Sequence, residues 1–187
     1  MKNVIITFAL LLGFATFSFG QFSHQLDSRT IKNIKTQPGI QISPKFVYQP
    51  NCPDLAAYEI QVTKVSGGTY SGRIKISGII KNVGKKHFVS GTNQATAYLY
   101  EVYPGGRKRL LRSMSLRNIP SNRTQTMPAV YKNWYTGNEF PPSYRLVIGY
   151  DPDIRLDGNP RNDDCVHRNN QKEVDGTQIH RIFRAGR

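Results

Sequence analysis

Beyond residue 54 the hydrophobic and polar positions alternate in runs of period two, separated by glycine- and proline-rich breaks. Over Arg73 to Val83, Ile74, Ile76, Gly78 and Ile80 fall on one side while Lys75, Ser77 and Lys81 fall on the other. That is the pattern of a half-buried strand. Leu55 to Val65 predicts a strand before it, with Gly67-Gly68 turning the chain between the two. Ala95 to Tyr103 and Lys108 to Leu116 flank Pro104-Gly105-Gly106, which predicts a β-hairpin. Within its second arm Leu110 and Leu111 point to opposite faces. Thr124 to Trp134 predicts a further strand, regular or irregular. Tyr144 to Tyr150 alternates Tyr144, Leu146, Ile148 and Tyr150 against Arg145, Val147 and Gly149. A polar loop from Asp151 to Asn170 then leads to a last short strand over Thr177 to Phe183. No segment outside the extreme N-terminus carries a helical period. Six to seven strands with frequent turn signals predict an all-β antiparallel sandwich of about seven strands.

The N-terminal twenty residues follow a different rule. Lys2 precedes an apolar run from Val4 to Phe17, and Ser18-Phe19-Gly20 sets small residues at the −3 and −1 positions of a signal-peptidase site. Residues 1–20 are therefore expected to be a signal peptide. The run is short for a span of about 20 residues, and no later segment is apolar enough to cross a bilayer. No cysteine follows the cleavage site, so a lipid anchor is not indicated. The protein is expected to be exported, to the periplasm or beyond the cell. Residues 21–52, punctuated by Pro38-Gly39, Pro44 and Pro50, are expected to form an irregular lead-in. An oxidising destination makes a Cys52–Cys165 disulfide the expectation over free thiols or a metal site around Cys165-Val166-His167. Closing so long a loop is worth about 4–5 kcal/mol in the chain-entropy picture.

Several stretches together carry a resemblance. Pro53-Asp54-Leu55 opens the patterned region, Ile80-Lys81-Asn82-Val83-Gly84 ends its second strand, Tyr144 to Tyr150 runs into Asp151-Pro152-Asp153, and Asn169-Asn170 precedes the last strand. Residues 53–184 thus resemble a CARDB domain, the cell-adhesion-related domain found in bacteria. The resemblance implies an immunoglobulin-like sandwich and an accessory, adhesion or binding role. The chain departs from that pattern by its long basic hairpin, its cysteine pair and the lack of an acid before Asn169-Asn170.

Charge sharpens the functional reading. The 187 residues include 26 Lys+Arg against 12 Asp+Glu, a formal charge of +14. Residues 73–123 hold eleven of those cations and one acid, Glu101. If the second strand and the hairpin share a sheet, Lys75, Lys81, Arg107, Lys108, Arg109 and Arg112 converge on one face. Such a face would attract an anionic polysaccharide or an acidic protein surface. Tyr98, Tyr100 and Tyr103 would add stacking surface, Tyr100 foremost. The competing reading is a solubilising face that guards a sheet edge. No sequence-reading motif is present, so nucleic acid is not the expected partner.

Near the C-terminus the bias reverses, with Asp151, Asp153, Asp157, Asp163 and Asp164 crowded together. Asp153, Asp157 and Asp164 fall at offsets like those of an EF-hand, but Arg155 takes a ligand position and Pro160 disturbs the loop. A turn-forming, solvated loop is the expectation, and no metal or other cofactor is called for. His24, His87, His167 and His180 are scattered with no patterned nucleophile beside them. Trp134 and Tyr144 read as core or corner aromatics. The sequence thus points to an exported, non-enzymatic binding or adhesion module. Its alternatives are an envelope subunit that docks by strand addition and a metal-dependent hydrolase using the Asp-rich loop.

Overall fold

The computed structural model describes residues 50–184. The leader over residues 1–20, His24 and the lead-in as far as residue 49 lie outside the described residues. Ten strands form three antiparallel sheets: β1 (Leu55–Gly67), β2 (Ser71–Asn82), β3 (Phe88–Val89), β4 (Ala95–Val102), β5 (Lys108–Ser115), β6 (Asn118–Ile119), β7 (Thr124–Thr126), β8 (Val130–Tyr135), β9 (Ser143–Tyr150) and β10 (Gln171–Val174). One helix, α1 (Gly176–Arg184), follows. In the first sheet β2 pairs with β1 along one side, and with β7 and β8 in succession along the other. The second sheet runs β10-β9-β4-β5, and β3 and β6 form a two-stranded ribbon. Three strand positions facing four make an all-β sandwich of immunoglobulin-like type.

Alternation explains which faces meet. Ile74, Ile76 and Ile80 of β2 are fully buried, as are Ala95, Ala97 and Leu99 of β4 and Leu146 of β9. Sheets pack only where side chains leave room, and Gly78 provides it. A Cβ there would lie 2.8 Å from Leu146 Cδ1 and 2.9 Å from Met127 Sδ. The strand expected over Thr124 to Trp134 is split, because Met127-Pro128-Ala129 interrupts it. Proline has no N–H for the ladder. The hairpin forms as expected, with Gly105 and Gly106 both at positive φ in its turn. A register shift between Leu99 and Tyr100 resolves the two leucines, since Leu111 packs on the core and Leu110 stays exposed.

Two expectations are corrected. The count of about seven strands becomes ten, because β3, β6 and β10 are too short to show a period, one expected strand is split into β7 and β8, and the last is helical. The segment expected as a last strand, Thr177 to Phe183, is helical. The Asp175 carboxylate accepts the Thr177 backbone N–H at 2.7 Å, capping the first turn. Gly176, Ile179, His180 and Phe183 then bury one helical face at spacings of three and four. The same residues suggest alternation only because Ile179 and Phe183 are an even number apart. No helix among the described residues is long and apolar enough to cross a membrane.

Candidate functional site

β5 is an edge of its sheet, so its outer backbone groups face solvent. Arg107 in the turn before it, and Lys108, Arg109 and Arg112 along it, are all exposed. The Arg107 guanidinium lies 4.7 Å over the Tyr103 ring. Arg107, Lys108 and Arg112 enter no ion pair among the described residues. Tyr100 sits on the neighbouring strand opposite Leu110, half-buried, with its ring stacked at 6.1 Å on Tyr98. These two tyrosines and Leu110 give the outer face beside the cations an apolar character.

The expected convergence on one sheet does not occur. Lys75 and Lys81 belong to β2 in the first sheet, whereas the hairpin belongs to the second. Lys75 is in register with Tyr131 and Thr63 on that sheet's outer face, and the Lys81 ammonium lies 5.0 Å over the Tyr58 ring. The sandwich therefore presents two separate basic faces. Sequence distance does not reveal this, because consecutive strands of a sandwich commonly cross from one sheet to the other.

Arg109 has a different fate from its neighbours. It pairs with the Glu101 carboxylate across the hairpin. Lys132 on β8 reaches the same carboxylate from the opposite sheet at 3.1 Å, and the Tyr103 hydroxyl donates to it at 2.7 Å. Glu101 is 3% exposed. Burial alone would raise its carboxyl, but the bonds from Tyr103, Lys132 and Arg109 outweigh that and hold it below its ordinary value. The hydroxyl of Tyr144 lies 3.4 Å away and is pushed upward, first by burial and then by the Glu101 charge.

This arrangement floors a cleft of about 530 Å³ at one end of the sandwich. Tyr103 and Tyr135 supply accessible aromatic surface over the buried Trp134 and Tyr144, and Asn133, Asn138 and Glu139 supply polar groups. Trp134 and Tyr144 are buried, with ring centroids 6.2 Å apart, and His180 of α1 meets Trp134 edge-on at 5.5 Å. The expectation that both aromatics are core residues holds, yet both also face the cleft. Lys132, Asn133, Tyr135 and the Gly137 to Pro142 loop carry no sequence signal of a shared site. The one pointer is the lone acid, Glu101, inside a basic stretch.

At the other end the Asp-rich loop is taken up by structure. Asp157 accepts from Gln94 Nε2 at 2.7 Å, from Asn162 Nδ2 at 2.6 Å and from the Asn159 backbone N–H at 2.7 Å. Asp164 accepts from Asn170 Nδ2 at 2.6 Å and from the Leu55 backbone N–H at 3.3 Å. Asp153 is exposed and donates its own backbone N–H to Asp151. The described residues hold no cluster of three or more His, Cys, Asp or Glu side chains placed to share a metal ion. The expected disulfide is present, with Cys52 and Cys165 at a Cα separation of 6.3 Å.

No family model matches the chain, and no curated protein matches it. Among solved structures, the solution structure of CsgH from R. palustris is similar over 68% of this chain and 95% of that one, at 13% identity and a TM-score of 0.34. The β-glucosidase 3B of Thermotoga neapolitana, solved in complex with glucose, is similar over 67% of this chain and 17% of its own, at 11% identity and a TM-score of 0.27. Likenesses this distant carry no argument about function.

Proposed function

We propose that the protein is an exported, non-enzymatic binding module that meets an anionic polymer or an acidic protein surface through the β5 edge. The observation that carries this reading is the set of three cations, Arg107, Lys108 and Arg112, standing exposed on an open strand edge. Side chains that serve the fold acquire partners, as Arg109 and Lys132 do with Glu101. Lys108 and Arg112 have no such partner and Arg107 only the Tyr103 ring, so the three leave a field of one sign beside the Tyr98–Tyr100 stack. The CARDB-like resemblance of residues 53–184 belongs to the same reading, as does export to the periplasm or the medium.

Retention on a sulfated polysaccharide matrix tests it. Meeting a polyanion releases its counterions, so affinity should fall linearly on a logarithmic salt axis. Replacing Arg107, Lys108 and Arg112 with Ser should lower both the retention and that slope. Unchanged retention in the triple variant would reduce the edge charge to a guard against strand pairing. A subunit that docks by strand addition would then be the better reading.

A further inference from the structure

We infer that the cleft floored by Trp134 and Tyr144 is a second binding site, for a neutral pyranose residue of an oligosaccharide. Its chemistry differs from that of the basic edge. Within the cleft the positive charges of Lys132 and Arg109 are already turned onto Glu101, so little free positive field remains there for an anion. What the lining offers instead is aromatic surface beside amide and carboxylate groups. Asn133 and Glu139 are both exposed, and neither side chain is engaged in a hydrogen bond or ion pair among the described residues. A pyranose presents the matching pair of features, an apolar C–H face and a rim of hydroxyls that both donate and accept. The volume, about 530 Å³, lies in the range of ligand sites and holds more than one sugar ring.

The walls are held in place before any ligand arrives. The Tyr135 ring lies folded over Gly137, where a Cβ would sit 2.6 Å from the ring carbon that bears its hydroxyl. On the far side α1 packs so closely that a Cβ on Gly176 would lie 2.5 Å from the Pro142 carbonyl oxygen. Tyr103 is fixed by its bond to Glu101 and by the Arg107 guanidinium over its ring. Glu101 is thus a positioning residue for the cleft, its acceptors consumed by protein donors. A preformed pocket avoids the ordering cost that weakens binding by mobile loops.

The chain has a single tryptophan, Trp134, which lines this cleft, so its emission responds to binding there. The full chain is titrated with cellohexaose, laminarihexaose and mannohexaose, and separately with a proline-rich peptide and a heparin hexasaccharide. The expected result is a saturable change in emission with at least one neutral hexasaccharide. Tyr135→Ala and Asn133→Ala, both exposed positions, should each weaken it at least about tenfold. Replacing Lys108 and Arg112 with Ser, neither of which lines the cleft, should leave it unchanged, which separates this site from the basic edge. The inference is overturned if no neutral hexasaccharide alters the emission at millimolar concentration, or if only the peptide or the heparin fragment does. It is equally overturned if Tyr135→Ala binds sugar as the wild type does.

Discussion

The two ends of the sandwich bury acids in opposite ways. At the disulfide end Asp54 and Asp164 are met by amides and backbone N–H groups. Asn169 Nδ2 donates to Asp54 at 2.8 Å, and Asn170 Nδ2 and the Leu55 N–H donate to Asp164. Asn82 knits the same region together, donating to the Ile119 and Lys86 carbonyls and accepting from the Asp54 and Gly84 N–H groups. At the cleft end Glu101 is met by two cations and a phenol. The electrostatic outcome is reversed. Burial dominates at Asp54 and raises its carboxyl, whereas the hydrogen bonds and cations at Glu101 overcome burial and lower it. At the first end the acids are closed in by this network, and the cleft of about 530 Å³ beside them is lined by charged groups, prolines and the disulfide, without an aromatic ring. The second, with its charge settled internally, leaves aromatic surface open to a ligand.

The largest expected effect comes from opening the closed end. The Cys52–Cys165 bond closes a loop of 113 residues. Reducing it, or replacing both cysteines with Ala, should cost about 2–5 kcal/mol in denaturant unfolding while the β spectrum persists. Full thiol labelling of the native, unreduced protein would remove the disulfide from the account.

Breaking the open end should cost somewhat less. Glu101→Gln leaves Lys132 facing a neutral amide and should destabilise by about 2–4 kcal/mol. The sign with pH follows from the lowered carboxyl. Its contribution is complete above the ordinary value of 4.5 and is lost as pH falls through the folded value below it. The gap between wild type and Glu101→Gln should therefore be widest near neutrality and close on acidification. Chemical unfolding across that range measures it. A gap that widens in acid would contradict the assignment.

Asp54→Asn is the counterpart at the closed end, and its sign should be the other way. A raised carboxyl contributes stability only below its folded value, and that is lost as pH rises through it. At neutral pH the amide should then be neutral or stabilising by up to about 1 kcal/mol, since it can still accept from Asn169. A loss as large as that of Glu101→Gln would erase the contrast between the ends. The smallest effect is expected from millimolar calcium. With the Asp157 and Asp164 oxygens occupied by amides and N–H groups, the thermal midpoint should not move. A calcium-dependent rise abolished in Asp153→Ala would revive the loop as a metal site.

What the sequence reveals follows the same division. β1, β2, the β4–β5 hairpin and β9 are legible because each is long enough to show period two between turn residues. The disulfide is legible because two cysteines in a chain expected to be exported leave one pairing. α1 is not, since nine residues with Arg181 and Arg184 on a mixed face give a short signal that alternation imitates. The cleft is illegible for a deeper reason. Glu101, Lys132 and Tyr144 lie in three separate stretches, and only the facing of β4 and β9 against β8 brings them together. The basic residues fail in the converse sense, being close in sequence and divided between sheets.

The central claim is that binding resides at the β5 edge rather than in the total charge. Amide chemical-shift mapping of the labelled protein with a heparin oligosaccharide tests it most directly. The largest shifts should fall at Arg107, Lys108 and Arg112, with smaller ones at Tyr98 and Tyr100, while Lys75 and Lys81 on the other sheet stay in place. Shifts spread over both basic faces, or centred on β2, would contradict the account.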